Sequence, residues 1–213
     1  MKKLNQYIKE KLIINKDYRD ANILTPKSFD ELKEIVEDRY DKLGPGTKQS
    51  PIDFNDIDIS NIYSFYNKNK GMFNGTKFKY IDISDWDTSS VTNMLSMFYK
   101  CNELKSVGDI SYWDVSNVTN MAYMFTGCTN LNQDISDWSV SLVTDMSYMF
   151  FGCENFNQDL SKWDVSKVAD MCAMFKFCRS FNQDLSKWNI SKVRYHSYMF
   201  ENCPIKEEYK PKF

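Results

Sequence analysis

Apolar residues return along this chain in a fixed order, separated by polar triplets and single serines. Between Leu131 and Cys153 the apolar positions are Leu131, Ile135, Trp138, Val140, Val143, Met146, Met149, Phe150 and Cys153. The same order recurs from Phe156 to Cys178 and, with His196 in place of the first methionine, from Phe181 to Cys203. Tryptophan marks the period at Trp86, Trp113, Trp138, Trp163 and Trp188, giving steps of 27, 25, 25 and 25 residues. Cys101, Cys128, Cys153, Cys178 and Cys203 keep those steps, as do the Met-Phe pairs ending at Phe98, Phe125, Phe150, Phe175 and Phe200. A single unit of this length cannot bury its own apolar face, whereas neighbouring units stacked on one another can.

Each unit reads in two halves. Leu131–Ser136, with apolar residues at near-alternate positions, predicts a short strand, and Trp138–Ser141 predicts a turn. Ser141 is placed to cap a short helix in which Val143, Met146, Met149 and Phe150 share one face, closed by Gly152-Cys153. A degenerate first copy begins at Ile57-Asp58-Ile59-Ser60 and reaches its Met-Phe pair at Met72-Phe73, with an insertion near Asn67-Lys68-Asn69-Lys70.

Upstream, Ser28 with Glu31 forms a capping box that opens a helix with an apolar stripe of Phe29, Leu32, Ile35, Val36, Tyr40 and Leu43. Gly44-Pro45-Gly46 ends it, and its expected role is to cover the open end of the stack. Residues 1–24 read as an amphipathic leader, with Leu4, Tyr7, Ile8 and Leu12 on one side, followed by a polar linker. Three readings of the leader stand: a helix packed on the first coil, a docking peptide for a larger assembly, and a membrane-surface helix. The expected organisation is a leader and linker over 1–24, a helical cap over 25–50, the repeats over 51–203 and a charged tail over 204–213.

The pattern F-N-Q-D-L-S-x-W-D-V-S-x-V-x-x-M-x-x-M-F-x-x-C, clearest from Phe156 to Cys178, resembles the BspA-like leucine-rich-repeat family. The resemblance spans about residues 52–203. It implies an α/β solenoid, a leucine-rich-repeat-like stack of about six coils with short parallel strands on one side, short helices on the other and a helical N-terminal cap. Characterised members of the family are surface proteins that bind other proteins, and similar repeats occur in proteins of phages and mobile elements. The family carries no catalytic residues to transfer.

Composition narrows the chemistry. The chain has 213 residues, 42% of them hydrophobic, and a formal charge of −2, so nothing in it points to a nucleic-acid polyanion as partner. A single histidine, His196, removes most histidine-based catalysis and metal binding by counting. The segment after Met1-Lys2-Lys3 lacks the apolar run of a secretory signal, which favours a cytoplasmic or virion-associated location over the cell surface. Five of the six cysteines occupy one register, so a buried ladder of reduced thiols, each bonded to a neighbouring carbonyl, is expected rather than disulfides.

The candidate recognition face is the polar row Asn132, Gln133, Asp134, Asn157, Gln158, Asp159, Asn182, Gln183 and Asp184, with Lys162 and Lys187 where the row turns basic. The same row serves equally as a hydrogen-bonding ladder within the stack. Recurrent aspartates raise a calcium reading, but a line of one carboxylate per coil falls short of the six to eight oxygens calcium takes. The expectation is therefore a non-enzymatic protein-binding module with no cofactor, intracellular or associated with a virion or mobile element. An adhesin-like surface protein is the alternative, and a glycan- or calcium-binding module a minor one.

Overall fold

The computed structural model describes residues 23–213. The leader residues Leu4, Tyr7, Ile8 and Leu12 lie outside these described residues. At the end of the expected linker the chain pairs with the first repeat. Leu24 bridges Ile57 in parallel, its N–H donating to Asp56 and its carbonyl receiving Asp58, both at 2.9 Å.

Helix α1, Phe29–Leu43, forms where the capping box places it. Ser28 Oγ accepts the Glu31 N–H at 3.2 Å, and the Glu31 carboxylate reaches back one residue further than the usual box, to the Lys27 N–H at 2.8 Å. Gly44, at φ 74°, returns its N–H to the Tyr40 carbonyl and ends the helix. Leu32 and Val36 are fully buried against the first repeat, whereas Leu43 is 62% exposed and does not belong to the packed stripe. Arg39 makes a two-pronged pair with Asp56 at 2.6 Å and lies over the Phe54 ring.

The insertion in the first repeat is a hairpin. β2 (Tyr66–Asn67) pairs antiparallel with β3 (Lys70–Gly71) through Lys68 and Asn69, at φ 47° and 66°. Two consecutive left-handed residues make the turn whose twist matches that of the strands. A parallel strand pair, β1 (Ile52–Asp53) with β4 (Ile81–Asp82), joins the segment before the first repeat to the second.

Beyond β4 the backbone departs from the two-half reading. No helix follows Ser141, and Leu131–Ser136 is not a strand. The segment from Val140 to Cys153 is instead a run of turns closed by bonds from residue i+3 to i: Val143 to Val140, Met149 to Met146, Phe151 to Tyr148 and Cys153 to Phe150. The third residue of the Met146 turn, Tyr148, sits at φ 57°, and that of the Phe150 turn, Gly152, at φ 70°. Ser96, Tyr123, Ala173 and Tyr198 repeat the first of these positions, and Lys100, Gly127, Phe177 and Asn202 the second. A positive φ at the third position is the requirement of a type II turn and breaks a helix.

The regular backbone ladder also runs through this half. The N–H groups of Met146, Tyr148, Phe150 and Gly152 donate to the carbonyls of Asp170, Cys172, Met174 and Lys176 in the next repeat, at 2.8–3.0 Å. Single parallel bridges mark the same line, Asn93 to Asn120 to Asp145 to Asp170 to Tyr195.

The core lies inside these turns. Cys128 and Leu131, Ile135 and Trp138, Val140 and Val143, Met146 and Met149, and Phe150 and Cys153 are the first and last residues of successive turns, and all are buried. The ends of a turn converge within about 7 Å, so both side chains enter the core together. Phe73, Phe98, Phe125, Phe150, Phe175 and Phe200 stack face to face at centroid spacings of 5.2–5.8 Å. Each tryptophan is buried, and from Trp113 onward each donates its indole N–H to a carbonyl of the preceding repeat, as Trp138 does to Ile110 at 2.9 Å.

The thiol ladder forms as well. Cys101, Cys128, Cys153 and Cys178 donate to the carbonyls of Phe73, Phe98, Phe125 and Phe150 at 2.9–3.1 Å, and Cys203 reaches Phe181 at 3.5 Å. All six cysteines are free thiols. Burial pushes the thiols of Cys128, Cys153 and Cys178 up, away from the thiolate.

Candidate recognition surface

The polar row Asn132–Asp134 and its two copies lie on the strand-like half, immediately before each Ile or Leu that enters the core. Asn132 and Asn157 are exposed, but their side chains are engaged. Asn132 Oδ1 accepts the Asn157 N–H at 3.0 Å and Gln158 Nε2 at 2.9 Å. Asn157 Oδ1 does the same for Asn182 and Gln183, and Asn182 Oδ1 receives the Lys206 N–H at 3.0 Å. Gln133 donates to the Gly108 carbonyl at 2.7 Å. The asparagine and glutamine rows thus take the place of backbone bonds between repeats. The two readings of this row divide by residue type: amides hold the stack, and acids and lysines face outward.

Asp134, Asp159 and Asp184 are exposed, and each accepts the N–H of the serine two residues on, at 2.9–3.0 Å. This is an Asx turn, the local use of aspartate that bends the chain toward the tryptophan. Asp114 and Asp164 repeat the device with Ser116 and Ser166. Bonds from the backbone N–H and hydroxyl of the following serine hold the carboxyls of Asp134 and Asp159 below the ordinary aspartate value. For Asp114, Asp164 and Asp184 the serine hydroxyl leads and the N–H adds to it.

The residue before each tryptophan also points to solvent. Tyr112 is 84% exposed, and Lys162 pairs with Asp137 of the preceding repeat at 2.9 Å. That hydrogen bond and the charge of Asp137 raise the Lys162 pKa. Lys187, one repeat on, is exposed and lowers the carboxyl of Asp184. The outward chemistry is therefore a grid of carboxylates and ammonium groups on a backbone fixed by amide ladders.

Two further rows were not singled out in the sequence. Asn93, Asn120, Asp145 and Asp170 sit on the bridges, and each accepts the N–H two residues on at 2.8–3.0 Å. Tyr99, Tyr123 and Tyr148 form an outer aromatic row, the last two stacked at 4.7 Å, with Phe151 and Phe177 beside it. Their signal in the sequence is the third position of the Met-x-x-Met turn and the residue after the Met-Phe pair. Among the described residues, no group of three or more histidine, cysteine, aspartate or glutamate side chains is placed to hold a metal ion. No helix among them is long and apolar enough to cross a membrane.

The family model described as Mycoplasma protein of unknown function, DUF285, matches residues 48–141 and again residues 102–210, two overlapping passes along the repeats. No curated protein and no solved structure matches the chain.

Proposed function

From the chain's membership of the DUF285 family, whose model covers most of its length, we propose that it is a BspA-like repeat protein, a leucine-rich-repeat-like solenoid that acts as a non-enzymatic protein-binding module. The observation that carries the reading is the division of labour along the polar row. Asn132, Asn157 and Asn182 spend their side chains on the neighbouring repeat, while Asp134, Asp159, Asp184, Lys162 and Lys187 project from the same rows into solvent. A rigid grid of alternating charge is suited to a protein surface of complementary pattern. Such charges select among partners and speed encounter more than they add affinity. Binding inside a cell or a virion is the version proposed here.

The test is affinity capture with the full chain and with the double variant Lys162→Glu/Lys187→Glu. Both positions are exposed, so the variant folds, as tryptophan fluorescence and thermal melting will verify. A partner identified with the full chain and lost with the variant supports recognition by this face. Equal recovery by both forms refutes it.

A further inference from the structure

The two ends of the repeat stack are finished differently. At the N-terminal end α1 lies over the first repeat, and Lys33 Nζ donates to the Met72 carbonyl at 2.6 Å. At the C-terminal end the tail covers one half only. Leu185 donates its N–H to the Tyr209 carbonyl at 2.8 Å, and Ile205 and Pro211 are buried. Among the described residues the Tyr195–Asn202 half has no such cover beyond the Phe213 ring, stacked on His196 at 4.0 Å.

The hydrogen-bond pattern of the inner repeats shows what this half lacks. Met171, Ala173, Phe175 and Phe177 donate their N–H groups to the carbonyls of Tyr195, Ser197, Met199 and Glu201. One period on, the equivalent donors are His196, Tyr198, Phe200 and Asn202, and none of these N–H groups has an acceptor among the described residues. Four unpaired donors at two-residue steps form an open edge. The matching carbonyls are not equally free: those of His196, Tyr198 and Phe200 already accept Met199, Glu201 and Cys203 within turns. The edge therefore asks for acceptors. Two copies of it set edge to edge would oppose donor to donor, and the N-terminal end of a second copy is covered by α1.

Charge points the same way. Lys192 and Arg194 are exposed and have no ion-pair partner among the described residues, while Glu201, the one acid of the segment, is paired with Lys176 at 2.7 Å. We propose that residues 195–202 form a docking edge for an extended acidic segment of a partner polypeptide, which adds in parallel as the next rung and supplies backbone carbonyls to His196, Tyr198, Phe200 and Asn202. Strand addition of this kind draws its affinity from main-chain bonds and its selectivity from flanking side chains. The edge is separate from the Asp–Lys grid, so either site can fail without the other.

Residue-resolved amide exchange by NMR on the dilute full-length protein tests this, with the capped peptide acetyl-Val-Glu-Val-Glu-Val-Glu-Val-amide as probe. Without peptide, the amides of His196, Tyr198, Phe200 and Asn202 exchange quickly while those of Met171, Ala173, Phe175 and Phe177 are protected. With low-millimolar peptide the four edge amides slow by about tenfold or more. The variant Lys192→Glu/Arg194→Glu, checked for an unchanged melt, weakens the peptide by about fivefold or more, and a lysine version of the peptide does not bind. Edge amides already protected in dilute monomer overturn the proposal, as does peptide that leaves them unslowed or binds equally well in its lysine form. Protection that depends only on protein concentration makes a second copy the occupant and overturns it too.

Discussion

Replacing Phe150 by alanine probes an inner repeat of the stack. Phe150 is 1% exposed and touches four rings: Phe125 at 5.8 Å, Phe175 at 5.5 Å, Phe156 at 4.2 Å and Trp163 at 6.4 Å. Burial of one aromatic side chain contributes about 2–3 kcal/mol through area alone. The cavity left among partly fixed neighbours raises the cost of deletion to about 3–5 kcal/mol. Phe200 is the control. It occupies the same register in the last repeat, is only partly buried, and stacks on a single neighbour, Phe175, at 5.7 Å. In a linear array each unit is stabilised by its two interfaces, so an end unit loses one of them from the start. Phe200→Ala is therefore expected to cost about half as much, roughly 1.5–2.5 kcal/mol. Urea unfolding followed by tryptophan fluorescence and circular dichroism measures both. A Phe150→Ala cost below about 1 kcal/mol, or one equal to that of Phe200→Ala, refutes the assigned core and its nearest-neighbour energetics.

Other consequences follow from the turns, the carboxylates and the thiols. Lys100 holds φ 59° at the turn position that glycine fills at Gly127 and Gly152, so Lys100→Gly is expected to be neutral or to stabilise by up to about 1 kcal/mol, whereas a helix interior would lose about that much. Gly152→Ala, at φ 70°, should cost about 1–2 kcal/mol where a helix would gain from it, so the sign found in each melt distinguishes turn from helix. Asp114, Asp134, Asp159, Asp164 and Asp184 are held below the ordinary aspartate value when folded. Their contribution is thus complete above the unfolded value, about pH 4, and is lost as pH falls through the lower folded values. A melting temperature unchanged between pH 5 and pH 2.5 would contradict this. Thiol labelling of the native protein should reach Cys172 and Cys203, which are partly exposed, and leave Cys101, Cys128, Cys153 and Cys178 until the chain is unfolded. Early labelling of all six thiols would contradict the buried ladder.

Much of this architecture was legible in the residue pattern. The period, the burial of tryptophan, cysteine and Met-Phe, the capping box of α1 and the place of the first-repeat insertion are each stated by spacing or by local chemistry. Local chemistry acts within a few residues and leaves its trace there: Ser28 and Glu31 cap the same turn, and each Asp-x-Ser closes its own Asx turn. The backbone of the repeat was not legible in that way. Apolar residues at i and i+3, such as Met146 and Met149, share a face on a helix and converge equally well at the two ends of a turn. The left-handed residue between them, tyrosine at 148 and alanine at 173, carries no glycine to announce it. Stacking decides between the two forms. It sends the N–H of Met146 to a carbonyl of the next repeat, 24 residues away along the chain at Asp170, where a helix would have bonded it within its own turn. The same stacking ties Asn132 to Asn157 and leaves His196, Tyr198, Phe200 and Asn202 with no rung to bond among the described residues. The sequence by itself determined which side chains are inside and how often they recur. The tertiary structure alone decided where each backbone hydrogen bond goes, because those bonds join residues that come together only when one repeat lies on the next.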